Sequence, residues 1–97
     1  MITVPKRVEI KVVGRVRGVF FRQGVKQKAE ELGLTGWVKN EEDGSVRIVA
    51  EGEEENLQKL VEWARLGTEW ARVDKIDIAW SNGIEEFLDF EIKLKSH

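Results

Sequence analysis

The sequence predicts an α+β sandwich, a single β-sheet backed by two helices. Three observations carry that expectation. Apolar and charged residues alternate over Arg7 to Val13 and again over Leu88 to Lys95, the period of strands with one buried face. Between them, two segments repeat their apolar residues at helical spacing, and each ends on a glycine, Gly33 or Gly67. The segments succeed one another as β-α-β-β-α-β, so that each half of the chain reads strand, helix, strand.

In the first strand Val8, Ile10 and Val12 share one face and Arg7, Glu9 and Lys11 the other. A glycine-punctuated stretch, Gly14 to Gly18, follows. Val25, Ala29 and Leu32 then mark a first helix running from Phe21 or Arg22 to Leu32, with Gly33 at its C-cap. Trp37 to Asn40 and Ser45 to Glu51 flank Asp43-Gly44, a hairpin signal that predicts a type I′ turn. On the outgoing strand Val46, Ile48 and Ala50 alternate with Arg47, Val49 and Glu51. Glu53-Glu54-Glu55 supply an acidic first turn to a second helix, whose face is Leu57, Leu60, Val61 and Ala64. Val73, Ile76, Ile78 and Trp80 belong to the next strand, whose irregular alternation predicts a bulge. Leu88, Phe90, Ile92 and Leu94, interleaved with Asp89, Glu91, Lys93 and Lys95, form a short final strand. The expected architecture is a ferredoxin-like split βαβ sandwich, βαββαβ plus that last strand, with an antiparallel sheet and both helices on one face. Residues 1–97 read as one domain, and the fold alone leaves function open.

Composition narrows the functions available. Hydrophobic residues make up 41% and charged residues 35% of the chain, so it can bury a core. A net charge of −2 exerts no general attraction on nucleic acid or an anionic membrane. The absence of cysteine removes disulfides, thiolate metal sites and a cysteine nucleophile together. Nowhere do 18 consecutive apolar residues occur, and a cytoplasmic monomer with neither nucleic acid nor membrane as partner is expected. Lys and Glu abound, while Asn and Gln number three each, a bias resembling heat-adapted proteins.

Gly14-Arg15-Val16-Arg17-Gly18-Val19-Phe20-Phe21-Arg22 carries the chemistry. It lies between a strand and a helix, where glycines let backbone N–H groups converge and a helix N-terminus adds positive potential. Arg22 can offer two parallel donors to a phosphate. The stretch lacks the Gly-Lys-Ser/Thr ending of a nucleotide P-loop. Arg17 to Phe21 faintly echoes an RNA-binding aromatic run, but such a run belongs on a central strand, and Ser45 to Glu51 carries no aromatic residue. On spacing alone a phosphate cradle and a plain glycine turn with solvated arginines weigh equally.

The nine residues resemble the signature of the acylphosphatase family, in which Gly-x-Val-Gln-Gly-Val-x-Phe-Arg opens the enzyme. The likeness continues through Leu32-Gly33-Leu34-Thr35-Gly36-Trp37-Val38-Lys39-Asn40 and Asp43-Gly44-Ser45-Val46, and on to Gly52, Ala71 and Val73. The resemblance implies hydrolysis of acyl phosphates to a carboxylate and inorganic phosphate, without cofactor or metal. It implies that Arg22 binds the phosphate and Asn40 orients the water. Arg15, Val16, Arg17, Gly18, Val19 and Phe20 would wrap the phosphoryl oxygens, and a phosphate oxygen would accept the water's proton. The alternative is a non-catalytic anion-binding or interaction domain. Two positions depart from the family pattern: Arg17 replaces a glutamine, and Thr68 replaces a proline for which only a turn-level effect is expected. Elsewhere plainer roles are expected: His97 a tail residue, the four tryptophans core or rim packing, and Glu41 to Asp43 turn carboxylates. No His/Cys cluster or convergent carboxylates suggest a metal site.

Overall fold

The computed structural model describes residues 4–94, so Lys95 and His97, named above, lie outside the described residues. Its elements are β1 (Lys6–Arg15), α1 (Phe21–Glu31), β2 (Thr35–Asn40), β3 (Val46–Gly52), α2 (Glu54–Leu66), β4 (Arg72–Asn82) and β5 (Phe90–Lys93). The sheet order is β4-β1-β3-β2-β5. The first four strands pair antiparallel throughout, as expected of a split βαβ sandwich. The last strand joins β2 in parallel and makes the sheet mixed.

The alternation in β1 builds the core. Val8, Ile10 and Val12 stand opposite Ala50, Ile48 and Val46 of β3, and Ile10 and Val12 also oppose Ile78 and Ile76 of β4. These side chains share one cluster with Phe21, Val25 and Ala29 of α1 and Leu57, Leu60, Val61 and Ala64 of α2. Both helices therefore cover the same sheet face. They approach closely where Gly24 leaves room for the Trp63 indole: a Cβ at Gly24 would lie 2.6 Å from two of its ring carbons. Trp63 in turn tilts against Phe21, ring centroids 5.5 Å apart.

The helices and β3 fall within a residue or two of expectation, and Gly33 and Gly67 both take the positive φ that ends a helix. The predicted bulge lies between β1 and β4: Val13 pairs with Lys75 and Gly14 with Val73, leaving Asp74 as the extra residue. The β2–β3 turn differs from type I′. Gly44 N–H donates to Glu41 O, Glu41 N–H donates to Ser45 O, and only Gly44 has positive φ. That is the pattern of a three-residue hairpin loop with its glycine at the bulge position. The final strand is shorter than its alternation suggests. Leu88 is fully exposed because the chain is still crossing the sheet there.

That crossing runs from the β4 edge to the β5 edge over the face away from the helices. It is anchored on Glu51, which is buried (3% exposed) although it points outward from β3. Its two oxygens accept the N–H groups of Ile84 (3.1 Å) and Glu85 (2.8 Å), and Arg7 Nη1 donates to it at 3.0 Å. Arg7 also meets Glu9 and Glu86 and lies over the Phe87 ring, while Glu9 continues the network to Arg47.

Glu51→Ala strips the acceptor from two backbone amides and a guanidinium, so a loss of about 3 kcal/mol is expected. For a domain of this size that lowers Tm by roughly 12–24 °C. Thermal denaturation measures it, and a shift of only a degree or two would show that the crossing segment is held by something else.

Candidate active site

Antiparallel pairing brings the end of β1, the end of β2 and the start of β3 to one margin of the sheet. There β1 passes into the 16–20 loop and α1. Val16 is buried in the core and Val19 packs against it, so the loop is tethered at both apolar residues. Gly18 and Phe20 both have positive φ, 68° and 62°. Reversals of backbone hand of this sort turn successive N–H groups toward a common concavity.

The start of α1 is left open. Its N-cap is Phe20, which has no side-chain oxygen to offer, and the first turn holds no acidic residue. The first helical hydrogen bond is Gly24 N–H to Phe20 O, so the amides before it have no acceptor within the helix. Helix α2 differs, with Glu54 and Glu55 in its first turn. The N-terminus of α1 thus presents uncompensated positive potential beside the loop.

Arg22 and Asn40 line the same groove, an open cleft of about 1070 Å³, together with Arg17. The cations of this groove divide into two kinds. Lys11 pairs with Asp43 at 2.9 Å and Arg47 with Glu9 at 2.6 Å. Those partners push the Lys11 ammonium up and hold the Glu9 carboxyl below their ordinary ranges. Arg17 and Arg22 form no ion pair with any described residue. Asn40 supplies the complementary feature: its Oδ1 is buried and accepts no hydrogen bond among the described residues. A buried amide oxygen without a donor is costly, and in a groove it is suited to receive one from water or ligand.

The remaining loop residues play different parts. Arg15, the last residue of β1, is exposed and does not line the groove, and Val16 is a core residue. Gly18, Val19 and Phe20 contribute backbone, and the Phe20 ring, 63% exposed, turns to meet Trp70 edge-on at 5.8 Å. Glu41 also lines the groove with Asn40. Its place there is compatible with strand alternation, because the groove is lined from both faces of the sheet, Glu9, Lys11 and Arg47 included. Among the described residues no three His, Cys, Asp or Glu side chains cluster as metal ligands.

Asn40 is positioned by the hairpin loop that follows it. It pairs with Val46, the first residue of β3. The loop between is held by Asp43, whose Oδ1 accepts both the Ser45 hydroxyl (2.6 Å) and the Ser45 N–H (2.9 Å). These two bonds, and then Lys11, hold the Asp43 carboxyl well below the usual carboxylate range.

The model of the family described as Acylphosphatase matches residues 8–92. An acylphosphatase of Salinibacter ruber is 43% identical over 88 residues, spanning 91% of this chain and 93% of the relative. One from Methylococcus capsulatus is 46% identical over 87 residues, spanning 90% of this chain and 95% of that one. The crystal structure of acylphosphatase from Bacillus subtilis superposes with a TM-score of 0.87 at 41% identity, covering 91% of this chain and 98% of that chain.

The depressed Asp43 carboxyl gives a pH signature. Its stabilising contribution is complete above the unfolded carboxylate value of about 4 and is lost as pH falls toward the lower folded value. Asp43→Ala should therefore lower Tm at pH 7, and the gap from the parent should narrow steadily as the pH falls below about 4. Melting curves at neutral pH and in acid test this; a gap independent of pH would mean that Asp43 acts without its charge.

Proposed function

The chain belongs to the acylphosphatase family and is a hydrolase of acyl phosphates, and we propose that Arg22 and the loop amides hold the phosphoryl group while Asn40 positions the attacking water. One observation carries the assignment of roles. A groove at the uncapped start of α1 contains two guanidiniums without carboxylate partners, and a buried amide oxygen without a donor, among the described residues.

An acyl phosphate already contains a good leaving group, so the protein need supply mainly position and charge. The Arg22 fork donates to two phosphoryl oxygens, and the N–H groups of the loop and of the first turn of α1 meet the others. These donors act where the transition state spreads its negative charge, over the equatorial oxygens. Arg17, on the same groove, adds a second positive charge to that field. Asn40 Oδ1 accepts a hydrogen bond from water, which aims the oxygen lone pair at phosphorus, in line with the departing carboxylate. As the P–O bond to water forms and the acyl C–O–P link breaks, a phosphate oxygen takes the water's proton. The products are a carboxylate and inorganic phosphate.

The working unit in this reading is the single domain of residues 1–97, acting as a cytoplasmic monomer on a small acyl phosphate, with no nucleic acid partner. A net charge of −2 supports it, as does the absence, among the described residues, of any helix long and apolar enough to cross a membrane.

Arg22→Ala should abolish inorganic phosphate binding in calorimetry, and Arg22→Lys should recover little, since an ammonium cannot reproduce the fork. Asn40→Ala should lower kcat roughly 10²-fold or more while leaving phosphate affinity close to the parent value. Normal kcat with a reduced Tm would remove Asn40 from the chemistry. Glu41 provides the contrast: Glu41→Gln should retain most of the activity, because the substrate supplies the base. A loss of about 10²–10⁴-fold in folded Glu41→Gln would instead identify a protein general base.

A further inference from the structure

Resting on the reading of the β1–α1 loop as the phosphate cradle, we propose that Thr68 is a positioning residue for that cradle, its hydroxyl orienting the Val19–Phe20 peptide so that Phe20 N–H faces the phosphate. Thr68 lies 49 residues further along the chain, in the turn between α2 and β4. Its Oγ1 donates to Val19 O at 2.7 Å. The turn is closed by Ala71 N–H donating to Thr68 O at 3.0 Å, so the hydroxyl projects from a fixed base. Trp70 of the same turn meets the Phe20 ring edge-on, 5.8 Å between centroids at 63°. Two consecutive loop residues are thus gripped by one turn, Val19 through its carbonyl and Phe20 through its ring.

The geometry of the peptide group connects this grip to the chemistry. No peptide bond among the described residues is cis, and in a planar trans peptide the carbonyl and the following N–H point in opposite directions. Directing Val19 O at Thr68 therefore directs Phe20 N–H away from Thr68. Phe20 itself has φ 62°, a conformation that no side-chain cap supports. An unrestrained peptide at this point could rotate its N–H out of the cradle. A proline, which the family pattern has at this position, offers no hydroxyl, so this chain orients the loop by a hydrogen bond of its own.

The test compares Thr68→Val, which keeps the shape and removes the hydroxyl, with Thr68→Ser, which keeps the hydroxyl. Inorganic phosphate affinity is measured by calorimetry, kcat and KM with acetyl phosphate, Tm by thermal melting, and amide hydrogen exchange at residues 17–20. Loss of one neutral hydrogen bond corresponds to about a fivefold to tenfold weakening of phosphate binding and a similar fall in kcat/KM. Thr68→Val should show that loss, with faster exchange at Phe20 in the phosphate-bound protein and a Tm fall of no more than about 4–8 °C, and Thr68→Ser should restore affinity to within about twofold. If valine does not fold at this position, Thr68→Ala serves the same comparison. Unchanged affinity and kcat/KM in the hydroxyl-free variant overturn the proposal, as does a serine variant no better than it. Arg22→Ala separates this from the underlying reading. If Arg22→Ala binds phosphate like the parent, the cradle assignment fails; if it loses binding while Thr68→Val does not, only the role of Thr68 fails.

Discussion

The site rests on a helix that begins without compensation. Phe20, at the N-cap of α1, holds a left-handed conformation that costs a residue with a Cβ roughly 1–2 kcal/mol. It offers no oxygen to the amides that follow, and no acidic side chain occupies the first turn. A helix seeking stability alone would have Ser, Thr, Asp or Asn at that position. The arrangement makes sense where the missing acceptor is an anion, because a capping side chain would compete for the same N–H groups. The rest of the molecule must hold the unstable turn in place. Val16 in the core, Phe21 against Trp63, and the 68–71 turn each grip a different part of it.

Stability is concentrated at the other end of the sheet. There the crossing segment folds back over the open face and buries Glu51 under three donors. A buried carboxylate with every oxygen satisfied tolerates no loss of a partner. Arg7, Glu9, Arg47, Glu51 and Glu86 form a continuous network, the organisation by which a charge-rich composition contributes to heat resistance. In the groove the same principle works by omission. Glu9 and Asp43 pair with Arg47 and Lys11, and no carboxylate among the described residues pairs with Arg22 or Arg17. Lys11 and Arg47 are thus neutralised locally, and although Glu41 and Glu42 also line the groove, its anion-attracting charge comes from the two arginines and the helix.

The order of elements and the core were legible because burial writes period two and period 3.6 into the residues. Val8, Ile10 and Val12 are core residues, as their alternation implies. Arg22 and Asn40 share a groove, as their two motifs suggested. What was hidden depended on contacts between distant residues. The alternation of Leu88 to Lys95 does not reveal that Leu88 is still in the crossing, because exposure there is decided by Glu51 and Arg7. Trp37 was expected in the core or at its rim; it faces outward, with Lys93, Lys39 and Arg47 within 4.7–5.8 Å of its ring. Thr68 suggested only a turn, since nothing near it in sequence points to Val19.

The hairpin loop after β2 also decides where the Asn40 side chain stands. Asn40 shares its side of β2 with Gly36 and Val38, which pair with Ala50 and Ile48 of the core face. A slip of one residue between β2 and β3 would carry the amide to the opposite face, away from the loop and Arg22. The register is set by the loop of Glu42, Asp43 and Gly44, in which Gly44 takes the positive φ and Asp43 binds both donors of buried Ser45. Lys11 of β1 reaches across to the same carboxylate. One exposed aspartate therefore joins the turn to β1 and helps keep Asn40 in register. The placement of the Asn40 amide thus depends in part on the ion pair between Asp43 and Lys11.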